Sequence, residues 1–183
     1  SKVARDAGID PKSCERYYEI LTDTLLGFFL EAFDSSVRKR LSKRPKFYFF
    51  DIGVARALSG QLESEISTQT YSYGNAFEHF VVLEVVRLND YYEAGFSLSY
   101  LRTKNNVEID LVLQRGKRLI LIEIKSAEKV QDDHLKSLQV LGSEFSTAER
   151  YVFSRQKKAA KRDEIFIIHW QEGLEKIFQK WMV

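Results

Sequence analysis

Asp110, followed on the same apolar stretch by Glu123-Ile124-Lys125, is a set of residues able to grip a divalent cation and break a phosphodiester. Mg²⁺ is a hard ion that takes oxygen ligands and is typically held by one or two carboxylates, the rest of its shell going to water and phosphate. A lysine beside such a pair can orient or help deprotonate the attacking water, or neutralise charge growing on the phosphate oxygens. The segment EIDLVLQRGKRLILIEIK, Glu108 to Lys125, brings these groups together if it folds as a hairpin. Gly116 and Lys117 then form a two-residue turn, Gly116 supplying the positive φ of a type II′ turn. In that register Arg115 faces Arg118, Asp110 faces Glu123, and Glu108 faces Lys125. All four site residues share one parity and one face, and Ile109, Leu111, Leu113, Ile120, Ile122 and Ile124 take the other. Facing Cβ atoms stand about 4.5–5.5 Å apart, so two carboxylates repel unless a cation sits between them. The same residues also fit a plain surface: Glu108–Lys125 as a weak exposed ion pair, Asp110 and Glu123 splayed into water. A one-residue bulge would shift the facing pair.

The elements that position this hairpin alternate in type. Asn75 to Tyr91 reads as a helix that is apolar nearly all round (Phe77, Phe80, Val81, Val82, Val85, Val86, Leu88) and therefore buried. Glu78 falls in its first turn, where the helix dipole favours a carboxylate. Asn75-Ala76-Phe77-Glu78 also has capping-box spacing, so Glu78 is either a cap or a third acid at the site. Phe96–Arg102 reads as a strand, Gln131–Leu141 as a helix stopped by Gly142, Arg150–Ser154 and Glu164–Trp170 as strands, and Gly173–Met182 as a closing helix. Asp133 and Gln139 lie on the helix after Lys125, as substrate-backbone contacts or as ordinary exposed residues.

The N-terminal part has a different outline. SKVARDAGIDPKSCERYYEIL reads as helix, turn, helix, with Gly8 as the stop, Asp10 as the cap and Pro11 in first position. LLGFFLEAF and KFYFFDIG read as strands on either side of a basic loop, 34–46, and Asp51–Leu58 as a short helix. Helix-turn-helix followed by a basic-tipped ribbon is the outline of a winged helix whose first helix lies upstream; such modules bind DNA or act as protein adaptors. The aromatic run FYFF suits packing inside the ribbon better than base stacking, because alternation turns half of it inward. The expected division is a winged-helix-like segment over 1–60, a linker over 61–74, and a second unit over 75–183. Two basic clusters contain no acid: RKRLSKRPK (Arg38–Lys46) and RQKKAAKR (Arg155–Arg162). They nominate Arg38, Lys39, Arg40, Lys43, Arg44, Lys46, Arg155, Lys157 and Lys158 as phosphate contacts, or else as solvated surface.

Composition bounds the rest. A chain of 183 residues, 44% hydrophobic and 30% charged with a net charge of +2, is an ordinary globular sequence whose overall charge does not itself argue for nucleic acid. Cys14 is the only cysteine, which excludes an internal disulfide and suits a reducing cytoplasm. There is no secretory signal and no apolar run of membrane-spanning length. The opening SKVARDAGID, lacking a Met and already helical in pattern, reads as part of a longer protein. His79, His134 and His169 form no zinc pattern, no Gly-x-Ser-x-Gly elbow occurs, and no P-loop is present to bind ATP.

A helix Glu, then Asp, then Glu-x-Lys on adjacent strands, in the order α-β-β-β-α-β over residues 75–154, resembles the PD-(D/E)XK nuclease superfamily, with Ile109 in place of the eponymous proline. YYEILTDTLLGFFLEAF, RPKFYFFDIGVARALSG, GNAFEHFVVLEVVR and VEIDLVLQRGKRLILIEIKSA together look like the C-terminal domain of unknown function attached to bacterial and archaeal AAA+-type ATPases. That resemblance spans nearly the whole chain. It implies an α/β (α+β) fold, a partial winged helix followed by a restriction-endonuclease-like αβββαβ core. It also implies an upstream ATPase module, to which any ATP would bind. Carried over by residue, Glu78 becomes the helix acid, Asp110 and Glu123 metal ligands with Glu78 as a third, and Lys125 the catalytic lysine. The expected activity is Mg²⁺- or Mn²⁺-dependent hydrolysis of DNA. The alternative is an inactive nuclease-fold module that binds nucleic acid or protein and regulates the ATPase.

Overall fold

The computed structural model describes residues 2–33, 44–68, 70–103, 107–142 and 144–181. Helices α1 (Lys2–Asp6) and α2 (Pro11–Asp23) open the chain. Asp10 caps α2 by accepting from the backbone N–H of Lys12 and Ser13 at 2.9 and 3.0 Å, and Pro11 takes the first position, where its missing N–H has no intrahelical partner to lose. Strands β1 (Gly27–Leu30) and β2 (Lys46–Phe49) pair antiparallel, Gly27 opposite Phe49 and Leu30 opposite Lys46. Alternation divides their aromatics. Phe29 and Phe47 meet Tyr18 of α2, at centroid distances of 5.5 and 4.8 Å, while Phe28 and Tyr48 stack at 5.8 Å on the other face. Packing on both faces uses the aromatic run.

After α3 (Ile52–Leu58), capped by Asp51, comes the long helix α4 (Tyr71–Tyr91). It begins earlier than the apolar pattern suggests. Thr70 is its N-cap, accepting from the Tyr73 N–H at 3.2 Å, so Asn75 caps nothing and Glu78 lies about two turns inside the helix. The capping-box reading of Glu78 is therefore corrected: a polar first turn, Tyr71 to Asn75, carries no apolar signal but is helical all the same.

Six strands form one sheet in the order β3-β4-β5-β6-β8-β7. They are β3 (Ser97–Arg102), β4 (Glu108–Arg115), β5 (Arg118–Lys125), β6 (Glu149–Ser154), β7 (Ala160–Arg162) and β8 (Ile165–His169). β3, β4 and β5 run antiparallel; β5, β6 and β8 run parallel; β7 closes the edge antiparallel to β8. The parallel step from β5 to β6 is made by a 3-10 turn (Asp132–Leu135) and α5 (Lys136–Gly142), and α6 (Trp170–Phe178) follows β8. β7 was not anticipated from sequence; it is the end of the second basic cluster, a short charged edge strand that resists further pairing.

Both faces of the sheet are covered. Val81, Val82, Leu113, Ile122, Phe153 and Phe178 form a core on the α4/α6 side, and Val112, Leu121, Leu138, Val152 and Ile167 form another on the α5 side. Leu30 and Tyr48 of the ribbon belong to the α4 core. The ribbon also meets the sheet edge through the Ala32–Tyr100 bridge, where Tyr100 N–H donates to the Glu31 carbonyl at 3.0 Å. The two parts of the chain thus share one core despite the polar stretch between them.

β4 carries a bulge. Ser99 pairs with Val112 but Leu101 pairs with Ile109, leaving Asp110 and Leu111 together opposite Tyr100. The extra residue reverses the alternation, so Ile109 lies in the α5-side core with Val112, while Leu111 and Leu113 lie in the other. The expectation of a single apolar face running from Ile109 to Leu113 is corrected by that bulge.

Candidate active site

The β4–β5 hairpin keeps the expected register from Arg115–Arg118 to Leu111–Ile122, with Gly116 at φ +57 in the turn. The ladder ends at Leu111–Ile122, so the expected facing pair of Asp110 and Glu123 is corrected: the bulge at Asp110–Leu111 takes Asp110 out of that register. Asp110 Oδ2 accepts from the Ile124 N–H at 2.8 Å, so a side chain rather than a facing carbonyl satisfies this β5 donor. Asp110 is drawn inward against β5 and is only 7% exposed; Glu123 is 4% exposed. Lys125 Nζ, at the end of β5, lies 2.6 Å from Glu123 Oε1. Glu123 Oε2 is buried and has no hydrogen-bond partner among the described residues.

The expected pairing of Glu108 with Lys125 does not form. Glu108 lies on the far side of the bulge, bound by Lys46 and by Arg102 at 3.4 Å. The expectation that Lys46 contacts phosphate is corrected: its ammonium points into the site, where it also donates to Glu78 Oε1 at 3.1 Å. Tyr48 OH donates to the same Glu78 oxygen at 2.9 Å. His79 Nε2 lies 2.7 Å from the Phe49 carbonyl oxygen and, as a donor, ties β2 to α4 beside this contact. Glu78 thus lies near the acid pair, with one carboxylate oxygen held by the ribbon.

Electrostatics follow from burial and crowding. Desolvation, reinforced by Glu123 and Glu78, pushes the Asp110 carboxyl well above the usual range, with Lys125 and the Ile124 N–H opposing. Burial likewise raises Glu123, against the pull of Lys125. Lys125 is desolvated, which favours loss of its proton, yet Glu123 and Asp110 outweigh that and hold its ammonium on. Lys46 follows the same pattern, its desolvation offset chiefly by Glu78 and Glu108. Burial first, and then Glu78, raises Tyr48, keeping its phenol a donor. A protonated Lys125 suits orienting water or neutralising phosphate charge, not accepting a proton.

A family model described as a domain of unknown function, DUF4143, matches residues 73–172, more than half of the 183-residue chain. The chain belongs to the DUF4143 family. A second model, also a domain of unknown function, DUF8612, matches residues 1–65. The DUF4143 match takes in α4 from Tyr73 onward, all six sheet strands and Glu78, Asp110, Glu123 and Lys125. Uncharacterized proteins of Mycobacterium bovis and Mycobacterium tuberculosis are each 28% identical over 125 residues, which is 68% of this chain and 27% of theirs. The chain therefore spans little more than a quarter of the length of these curated relatives.

The donor chemistry of this DUF4143 site fits a hard divalent cation: two buried carboxylates, one with an unpartnered oxygen, both destabilised as anions by their surroundings. Among the described residues no group of three or more His, Cys, Asp or Glu side chains is placed to hold a metal ion, so Glu78 does not complete a three-acid set. Asp110 and Glu123 would be the residues to hold such an ion, a number typical of Mg²⁺ sites that keep their waters.

Of the other nominated residues, Gln139 donates to Asp163 at 2.9 Å and Asp133 is exposed. Arg155 pairs with Glu128 at 2.8 Å and lies over the Tyr73 ring, and Lys157 and Lys158 are exposed. Arg44 is exposed, its carbonyl accepting from Tyr100 OH. Arg38, Lys39, Arg40 and Lys43 lie outside the described residues. Tyr48 is a site residue that sequence reasoning missed, and Lys46 is one to which it gave a different role. Their one signal was parity: two residues apart on a strand, they share a face, and Tyr48 had to point toward a core.

Proposed function

We propose that this chain is a divalent-metal-dependent nuclease domain that hydrolyses DNA phosphodiesters, forming the C-terminal part of an AAA+-type ATPase. The observation that carries the proposal is the buried Asp110–Glu123 pair beside Lys125, with Glu123 Oε2 unpartnered among the described residues. An α-β-β-β-α-β order with an antiparallel-then-parallel sheet favours the PD-(D/E)XK reading, and α1, α2 and the β1–β2 ribbon favour a partial winged helix. The much greater length of the mycobacterial relatives is consistent with further modules in the whole protein. In this reading Asp110 and Glu123 hold Mg²⁺ or Mn²⁺, which when bound supplies an activated water and a Lewis-acid contact to the phosphate. Lys125 orients the water and offsets phosphate charge, and Arg155, Lys157 and Lys158 lead the backbone toward the site. β5 and β6 run parallel and pair Lys125 with Ser154, so Arg155 leaves the sheet at the same end as the site.

Supercoiled and linear DNA incubated with Mg²⁺ or Mn²⁺ test this. Wild type should cleave, and Asp110→Asn and Lys125→Ala should each lose about 10²-fold or more. Cleavage that survives both substitutions removes the site. A second reading, a non-cleaving DNA-binding module that regulates the ATPase, is favoured by the hold of Lys46 and Tyr48 on Glu78. It predicts salt-sensitive binding with no cleavage by any variant.

A further inference from the structure

The acid cluster already contains one cation that the chain itself supplies. Glu78 from α4 and Glu108 from β4 are joined by the Lys46 ammonium, which β2 carries in from the N-terminal ribbon. Lys46 is held there from several directions: its Nζ lies 5.3 Å from the Tyr100 ring centroid, and Tyr48, two residues along the same strand, is bound to Glu78. Charge makes the arrangement consequential. Glu78, Glu108, Asp110 and Glu123 carry four negative charges when ionised, and Lys46, Arg102 and Lys125 return three, so the cluster stays net negative with its own cations in place. Lys125 accounts for one oxygen of Glu123 and leaves the other unpartnered among the described residues, whereas Lys46 lies directly between the Glu78 and Glu108 carboxylates. Desolvated carboxylates brought this close require positive charge among them.

We propose that Lys46 is a built-in cation that closes the Glu78–Glu108 position to divalent ions, so that the N-terminal ribbon sets how many metal ions the acid cluster accepts. This rests on the metal-binding reading above and adds a positioning residue to it. Any displacement of the ribbon that withdraws Lys46 opens a second oxygen-lined position beside the Asp110–Glu123 pair.

Mn²⁺ counting on the 183-residue chain tests the inference, by isothermal titration and by the electron paramagnetic resonance signal of free Mn²⁺. Lys46→Met keeps the apolar stem and removes the charge; Lys46→Gln keeps a donor for the two carboxylates; Lys46→Arg keeps the charge. Met and Gln variants should each bind one Mn²⁺ more per chain than wild type, and the Arg variant should match wild type. The gained ion should vanish in Lys46→Met combined with Glu108→Gln. Should the Met variant be only partly folded in EDTA, Mn²⁺ should raise its melting temperature more than it raises that of wild type. An unchanged ion count in both charge-removing variants, with no added Mn²⁺ stabilisation, overturns the inference. Asp110→Asn separates the two proposals. If it abolishes the wild-type ion while Lys46 substitutions change nothing, the metal site stands and the role of Lys46 fails. If no variant binds Mn²⁺, both fail.

Discussion

Asp110 illustrates how one residue can be stabilised locally and stressed electrostatically. Its Oδ2 is satisfied by the Ile124 N–H, yet the carboxyl is buried beside Glu123 and Glu78, and its pKa is raised. A carboxyl whose folded pKa exceeds its unfolded one favours folding while protonated, and that advantage is lost as pH rises through the folded pKa. Glu123 is shifted in the same direction. In EDTA, Asp110→Asn keeps an acceptor for Ile124 and removes the charge. It should melt about 2–4 °C above wild type at about pH 8, the shift of ~1 kcal/mol in a chain of this size. The difference should shrink toward zero as pH falls to the unfolded value of about 3.9, because both side chains are then neutral. Circular dichroism melts across that pH range provide the check. A destabilised Asn variant at alkaline pH would show that the Ile124 contact needs the charge.

At the scale of elements, the ribbon and the bulged strand place the side chains. β1 and β2 lie so close at Gly27 that a Cβ there would stand 2.3 Å from Phe47 Cζ and 2.6 Å from the Tyr48 carbonyl oxygen. The second contact is to backbone, so rotation of a side chain cannot relieve it. Gly27→Ala should therefore cost about 1–3 kcal/mol, the usual penalty of overpacking, seen as a lower urea midpoint. The ribbon strands themselves were legible because aromatic residues, which favour strands, are concentrated in them, and α2 was legible from Asp10 and Pro11. The start of α4 was not, since Thr70 caps a turn with no apolar stripe. The bulge at Asp110–Leu111 was not legible either, because the residues on both sides of it are apolar in either parity.

Over the whole molecule, the parallel β5–β6 pair brings the second basic cluster to the site end of the sheet. Lys157 and Lys158 are exposed there, whereas Arg155 is engaged with Glu128 and Tyr73. Each phosphate contact on duplex DNA contributes nearly one unit to the slope of log affinity against log salt concentration. Lys157→Ala combined with Lys158→Ala should flatten that slope by about 2 and weaken binding evenly across sequences. An unchanged slope in fluorescence anisotropy titrations would leave these two lysines as solvated surface. No described helix is long and apolar enough to cross a membrane.

Local chemistry written into the sequence determined the elements: caps and turn residues, the two-residue rhythm of the strands, and the Gly116 turn that fixes the hairpin register. It also determined that Asp110, Glu123 and Lys125 would gather near one hairpin end, because register follows from turn length. Only the tertiary structure decided the partners of Glu78, Glu108 and Lys46. Those contacts join segments distant in the chain, and they depend on a one-residue bulge and on a ribbon docked against α4, neither of which has a local sequence period.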